Sequence, residues 1–340
     1  MQNIVIVGFG FMGGMHAQVY SRLKRARVVA VVDTRVAEAA SAAAKLGLNA
    51  PIFADLDWAL AEGPVDVIDI CLPTPAHGPW VRRAIRARKH VFCEKPFASS
   101  FREASSLAAA ARRAGVRMQI GQCVRFWPEY QAFEAVVRAG RMGRLLSLTL
   151  QRRSSRPMYS SGDWLNQSGL SGGAVLDLHI HDTDYVHHLL GRPKAVTSVG
   201  TRDRSGWSHI FTTYHFDRIA VTAEGGWNYP AGWGFQMAFQ AVFERGAVEY
   251  DSAASPTLMM TGTAGAKKPL AFSQPGIGDS AGGVGNIASL GGYYNELAYF
   301  VNCLEKGRSP RVATPRQAAE SVRTVMAEIK SARTGRRVGL

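Results

Sequence analysis

Cysteine is scarce: 340 residues hold four, at Cys71, Cys93, Cys123 and Cys303. Their spacing suits neither a disulfide framework nor the paired thiols of a zinc site, so reduced thiols are expected. Long apolar runs are missing as well, and none approaches the ~18 residues that a membrane-spanning helix requires. Met1, Gln2 and Asn3 lead straight into Ile4 with no basic leader or cleavage motif, so a cytoplasmic protein with no membrane partner is expected. Acidic residues are few, 26 against 40 basic ones, which leaves a net charge of +14. An excess of that size can serve a polyanion. The basic residues are nevertheless spread along the chain. The densest group, Arg82, Arg83, Arg86, Arg88 and Lys89, reads as the exposed side and end of one helix. Without a zinc-finger, homeodomain or basic-zipper pattern beside it, no nucleic-acid partner is expected.

What is present is an ordinary globular composition, 46% hydrophobic, in a length that suggests about two domains at roughly 150 residues each. Up to residue 121, Val- and Ile-rich runs at 4–7, 28–32, 67–72, 90–93 and 117–121 alternate with helical stretches at 15–24, 37–46, 78–87 and 100–114. Continuous apolar strands separated by helices predict a parallel, doubly wound sheet. Past residue 122 the runs at 145–151, 194–201, 210–216, 219–228, 235–243 and 247–251 alternate polar with apolar residues. That period predicts an antiparallel sheet with one covered face. The segment 261–292 holds nine glycines and no periodicity, and it reads as a loop. Helical patterns at 293–305 and 314–332 end the chain. The expected fold is α/β. A Rossmann dinucleotide-binding domain spans 1–122, and an α/β domain with a large, mainly antiparallel sheet spans 123–340.

Gly8-Phe9-Gly10-Phe11-Met12-Gly13 follows the first apolar run and opens a helix, and Asp33 ends the next run 20 residues after Gly13. Those conditions define a dinucleotide fingerprint. Glycines let backbone N–H groups approach a pyrophosphate, and the helix N-terminus adds free donors. Asp33 would accept hydrogen bonds from the adenosine ribose and repel a 2′-phosphate, which favours NAD. Arg35 leaves NADP as the alternative. At the end of 67–72, Pro73 and Pro75 are read as a stiff, non-helical turn that leaves Thr74 and His77 to face the cofactor, or His77 to cap a helix. The expected cofactor contacts are therefore Gly8, Gly10, Phe11, Met12, Gly13, Asp33, Thr34, Arg35, Leu72, Pro73, Thr74, His77, Glu94 and Lys95.

Lys95 ends an apolar strand just before Pro96, at the same sheet edge as the glycine turn. A partly dehydrated amine beside a cationic nicotinamide can exchange protons near neutral pH. Glu94 can pair with it or bind neighbouring backbone. In the stretch from Ser171 to Asp184, a helix would carry Asp177, His181, Asp184 and His188 on one face. A carboxylate one turn before a histidine suits an imidazole that takes up a proton. A metal is the competing chemistry, with His179, His181 and Asp182 or Asp184 as ligands on a strand. On a helix the two histidines diverge by about 200°, and no metal is expected.

These segments together resemble one known family. GFGFMG at 8–13, Asp33, CLPTPAH at 71–77, CEKP at 93–96, SGGAVLDLHIHDTD at 171–184 and AEGGW at 223–227 are similar to the glucose–fructose oxidoreductase, inositol dehydrogenase and rhizopine-catabolism (Gfo/Idh/MocA) family. The resemblance implies a Rossmann domain followed by a domain with a large open sheet, with subunits pairing as a homodimer or homotetramer. It implies Lys95, Asp177 and His181 as the catalytic set, and Arg125 as a substrate-cleft residue beside Lys95, Asp177 and His181. The expected reaction passes a hydride between a secondary alcohol of a sugar, inositol or related cyclic polyol and NAD(P). Trp127, Tyr159, Trp164 and Trp227 are candidates to face sugar C–H groups, with Trp164 taken as a substrate contact. NAD-dependent glycoside cleavage and a non-catalytic NAD or sugar sensor are the alternatives. A sensor should have lost Lys95 or His181, and both are present.

Overall fold

The computed structural model describes residues 1–276 and 290–340. The chain divides into two compact units. One comprises Met1–Gln122, Tyr159–Trp164 and Tyr293–Glu320, the other Cys123–Met158, Leu165–Gly292 and Ser321–Leu340. A cut after residue 122 thus marks only the first boundary. Two later segments return to the first unit, because long-range packing groups residues that sequence order separates.

In the first unit, β1 (Gln2–Val7), β2 (Ala26–Val32), β3 (Ile52–Phe53), β4 (Val67–Ile70), β5 (His90–Glu94) and β6 (Met118–Gly121) make one sheet in the order β3-β2-β1-β4-β5-β6. Every pairing in it is parallel. Ile4, Val5 and Ile6 are all fully buried. Strands covered on both faces carry no polar alternation, which is why they read as continuous apolar runs. Helices α1 (Phe11–Tyr20), α2 (Val36–Lys45), α3 (Leu56–Glu62), α4 (Thr74–Arg86) and α5 (Phe101–Arg113) connect them. The strand order reverses between β1 and β4, and ligands of such sheets bind beyond the strand ends at that reversal.

Two helices begin four residues before their sequence patterns, α1 at Phe11 rather than 15 and α4 at Thr74 rather than 78. Pro73 is the N-cap of α4 and Pro75 lies inside its first turn, so the expected non-helical turn is corrected to a helix start. First-turn N–H groups have no intrahelical partner, so a proline there removes nothing.

The second unit holds a nine-stranded sheet, in the order β14-β13-β12-β11-β7-β10-β9-β8-β15. Its strands are β7 (Leu145–Ser155), β8 (Ala195–Asp203), β9 (Gly206–His215), β10 (Ala220–Tyr229), β11 (Phe235–Phe243), β12 (Gly246–Asp251), β13 (Leu258–Gly262), β14 (Lys267–Pro269) and β15 (Val338–Gly339). Among the described residues, only β7 and β10 of this sheet pair in parallel. The glycine-rich stretch expected as a loop instead supplies part of β13 and all of β14, which pair as an edge hairpin. Residues 277–289 of it lie outside the described residues. Leu148 and Leu150 are buried while Thr149 is exposed, the one-sided burial that period-2 alternation encodes. Register aligns Val199, Phe211, Glu224, Gln151 and Ala238 across the other face, where Val199 and Phe211 are exposed.

The helices of the later chain are α6 (Pro128–Ala139), α7 (Ser168–Ser171), α8 (Ile180–Leu190), α9 (Gly291–Glu305) and α10 (Pro315–Thr334). Among the described residues, no helix is long and apolar enough to cross a membrane.

Candidate functional site

The turn after β1 is built by glycines with separate tasks. Gly8 has φ +88°, and a Cβ there would lie 2.6 Å from the Cys71 carbonyl oxygen. At Gly13 a Cβ would meet the Gly8 oxygen at 2.1 Å, so its absence lets α1 close on the turn. Gly10 is exposed and has nothing within 4 Å of its Cβ position. The backbone there is bare and open, as a close-approaching ligand requires. Gly10 is also the N-cap of α1 and provides no side-chain cap. The first-turn donors, at Phe11, Met12 and Gly13, are therefore available to an anion.

Asp33 follows β2 and is buried. Its Oδ2 accepts the Phe9 N–H at 2.8 Å and its Oδ1 accepts the Arg35 N–H at 2.9 Å. The carboxylate is thus pinned to the glycine turn by backbone, in the place where a ribose hydroxyl donor is recognised. Thr34 and Arg35 beside it are exposed. A carboxylate, bare glycine backbone and a helix N-terminus together fit a dinucleotide with a free ribose 2′-hydroxyl.

At the end of β4 the expectation is partly corrected. Leu72 and Pro73 are half-buried, but Thr74 and His77 are buried. The His77 ring bridges two backbone carbonyls, with Nε2 2.7 Å from Leu72 O and Nδ1 2.9 Å from Pro96 O. Burial lowers its pKa below the ordinary histidine value, against the opposing pull of those carbonyls. His77 ties two loops together instead of facing a ligand.

Lys95 is half-buried at the end of β5, before a cis peptide to Pro96. Its backbone N–H donates to Glu94 Oε2 at 3.1 Å. Behind it lies a buried group that motif reading passed over. His16 of α1 sits with Nδ1 2.8 Å from Asp69 and Nε2 3.2 Å from Glu94. Burial disfavours the imidazolium, yet Asp69 beside it raises the His16 pKa well above the ordinary value. A carboxylate inside the apolar strand β4 was the legible signal, since buried charges need partners. His16, Asp69 and Cys71 also bring three ligand atoms within 4.8 Å, the one such cluster among the described residues. The 2.8 Å contact between His16 and Asp69 is a hydrogen bond.

In the second unit the helix carrying the Asp and His residues is not uniform. Val175–His179 is one π-helical turn, continuous with α8. A wider turn of this kind recurs at functional sites, and it breaks the 3.6-residue register between Asp177 and the α8 positions His181, Asp184 and His188, which still share one face of the regular helix. Asp177 is buried and His181 half-buried. Asp184 instead binds Arg125, with Nε at 2.6 Å and Nη2 at 2.7 Å, and accepts from Ser321 Oγ at 2.7 Å. His188 pairs with Glu134 at 2.9 Å. Arg125, expected in the substrate cleft, is buried with two of its nitrogens on Asp184. Trp127 and Trp227 are core residues, 4% and 1% exposed. Tyr159 is exposed and Trp164 half-buried, and both belong to the first unit.

His179 is fully buried, with Nε2 3.5 Å from Glu328 Oε2 and 3.4 Å from the Tyr214 hydroxyl. Burial takes His179 down to about 3 and pushes the Glu328 carboxyl up to about 8, despite hydrogen bonds from Thr183 and Tyr214 that favour its ionised form. Between those values both groups are neutral, a carboxylic acid beside an imidazole. The folded pKa of Glu328 lies above its unfolded 4.5, so its stabilising contribution is complete below 4.5 and is lost as pH rises to about 8. Glu328→Gln, which cannot ionise, should flatten that loss. Urea denaturation at pH 5 and pH 8.5 should show the variant gaining at least about 1 kcal/mol on wild type between the two. A constant difference would mean that Glu328 is not a raised acid.

Comparison with known proteins agrees with this architecture. Residues 2–122 match a family described as "Oxidoreductase family, NAD-binding Rossmann fold". Residues 130–249 match its companion, the GFO/IDH/MocA C-terminal domain. The chain belongs to the GFO/IDH/MocA oxidoreductase family. Among curated GFO/IDH/MocA relatives, inositol 2-dehydrogenase 1 of Paenarthrobacter aurescens (strain TC1) is 29% identical over 282 residues, 80% of each chain. The 2,7-anhydro-N-acetylneuraminate hydratase of Escherichia coli (strain K12) is 29% identical over 201 residues, 59% of this chain and 53% of that protein. The chain spans about half the length of several of the curated relatives it matches. Among solved structures, GenD2 from gentamicin A biosynthesis, in complex with NAD, superposes with a TM-score of 0.83 at 26% identity, covering 100% of this chain and 96% of that one.

Proposed function

We propose that this chain is an NAD-dependent dehydrogenase that oxidises a secondary alcohol of a sugar, inositol or related cyclic polyol. The observation that carries the reading is the cradle at the end of β1: bare glycine backbone and an uncapped helix N-terminus beside a carboxylate pinned by the Phe9 and Arg35 amides. The names of the inositol dehydrogenase relatives support the substrate class.

Bound NAD supplies the hydride acceptor for the carbinol carbon. As that hydride leaves, the hydroxyl proton must go to a protein group, and His181 is assigned that role. The buried carboxylate of Asp177 orients the imidazole and stabilises its cation. Lys95 donates a hydrogen bond to the same oxygen and steadies the charge that develops there. The protein thus supplies position and proton handling, while the hydride chemistry belongs to the cofactor. A ketone, a reduced cofactor and one proton are the products.

A second reading keeps the cofactor but shows no net redox, and the hydratase relative favours it. One experiment separates the two. The purified protein is incubated with NAD and a panel of inositols, sugars and anhydrosugars, with NADH absorbance and product NMR followed together. NADH rising in step with a keto product is expected. A new product without NADH overturns the dehydrogenase reading in favour of the second, and bound NAD with no product would make the chain a sensor. The exposed Val199 and Phe211 on the open sheet face support a homodimer or homotetramer built there. Sedimentation of the same sample at the 36.8 kDa of one chain would rule that out.

A further inference from the structure

One short segment of the later chain belongs to the first unit without belonging to its sheet or helices. Tyr159–Trp164 clusters there, and two of its side chains reach residues that flank the dinucleotide cradle. The Tyr159 ring lies on Phe11, with centroids 5.0 Å apart and planes at 41°. Phe11 is the first residue of α1, next to the open backbone of Gly10. The Ser161 hydroxyl accepts a hydrogen bond from Arg35 Nη1. Arg35 stands two residues past Asp33, where the second strand delivers its ribose-recognising carboxylate. One contact therefore lies at the pyrophosphate end of the cradle and the other at the adenosine ribose end. Directly after Ser161, Gly162 (φ 62°) and Asp163 (φ 53°) are consecutive left-handed residues that fold the segment into a tight turn. A left-handed conformation costs a non-glycine residue roughly 1–2 kcal/mol, so at Asp163 the surrounding contacts must hold it.

We propose that residues 159–164 form a strap across the dinucleotide cradle, which retains the cofactor and enforces the choice of a free 2′-hydroxyl. The inference rests on the NAD-binding reading of the glycine turn. Two physical effects carry it. The Tyr159–Phe11 contact roofs the N-terminus of α1 with aromatic surface. A pyrophosphate held there sits in a drier place, where the helix donors act with less screening. The second effect concerns Arg35, the cation that a 2′-phosphate would seek. Its Nη1 is 3.0 Å from Glu38, its Nε is 3.6 Å from Asp33 Oδ1, and Ser161 accepts from it. A 2′-phosphate would have to displace those partners and stand against the Asp33 and Glu38 carboxylates. Asp33 alone would disfavour it; the strap also withholds the compensating guanidinium.

Binding measurements on the whole protein test this without any substrate. NAD+, NADH and NADP+ affinities are read by calorimetry and NADH release by stopped-flow fluorescence, for wild type, Tyr159→Ala, Tyr159→Phe and Ser161→Ala. Tyr159→Ala should speed NADH release by about tenfold, the size of one lost aromatic contact. Tyr159→Phe, which keeps the ring, should release at the wild-type rate. Ser161→Ala should move the NADP+ to NAD+ affinity ratio several-fold towards NADP+. If wild type binds NAD+ but release and the affinity ratio are unchanged in the folded variants, the strap is wrong and the cradle stands. If wild type binds neither dinucleotide, the cradle reading itself fails and the strap with it.

Discussion

Lys95→Met should lower kcat by about 10²–10⁴-fold, the range for loss of a positioned proton-handling group, and leave NAD affinity close to wild type. The grip on the cofactor comes from other parts: the bare backbone of Gly8 to Gly13, the α1 N-terminus and Asp33. Methionine keeps the length and apolar stem of lysine but can neither donate a hydrogen bond nor carry charge. The measurement is steady-state turnover with whichever polyol the substrate panel returns, paired with calorimetry of NAD. Turnover within about tenfold of wild type would fall short of that range and remove the amine from the mechanism. A large loss of NAD affinity would instead make Lys95 a cofactor ligand.

Arg125→Leu should cost about 3–5 kcal/mol of stability, because it leaves the Asp184 carboxylate buried with its main partner gone. Both side chains of this pair are 1% exposed, and the guanidinium meets the carboxylate through two nitrogens. Replacing both, as Arg125→Leu with Asp184→Leu, should recover most of that loss, since a buried ion pair and an apolar pair of similar volume are close in free energy. Urea unfolding of the three variants checks this. The reading of Arg125 as a substrate residue would predict the reverse pattern, an unchanged midpoint and a raised KM.

The two outcomes mark where sequence reasoning ends. The position of Lys95 directly after β5 is legible because the end of a buried parallel strand is an edge, and an amine there is conspicuous. Asp33, Gly8 and Gly13 were legible for the same local reason. Arg125 was placed by motif position alone, and its partner lies 59 residues away along the chain. His77 reads as a cofactor contact in the sequence, but both of its ring nitrogens lie on backbone carbonyls. His16 carries no local signal, because it lies inside a helix that reads simply as the one following the glycine turn, yet it meets Asp69 of β4 and Glu94 of β5. The edge hairpin of β13 and β14 escapes a sequence reading because its strands are only five and three residues long, β14 is two lysines and a proline, and both are shaped by pairing more than by their own preference.

Local chemistry written into the chain determined the fold class, the parallel sheet, the glycine turn with its carboxylate and the amine before Pro96. Strand burial, turn geometry and helix starts depend on neighbours a few residues apart, so the linear order of side chains carries them. Tertiary structure alone decided which buried charges pair, that a π-turn interrupts the Asp177 helix, and that Tyr159–Trp164 joins the dinucleotide unit. Those choices depend on residues that are distant in sequence and close in space. No period, composition or spacing records such proximity, because it exists only after the chain has packed.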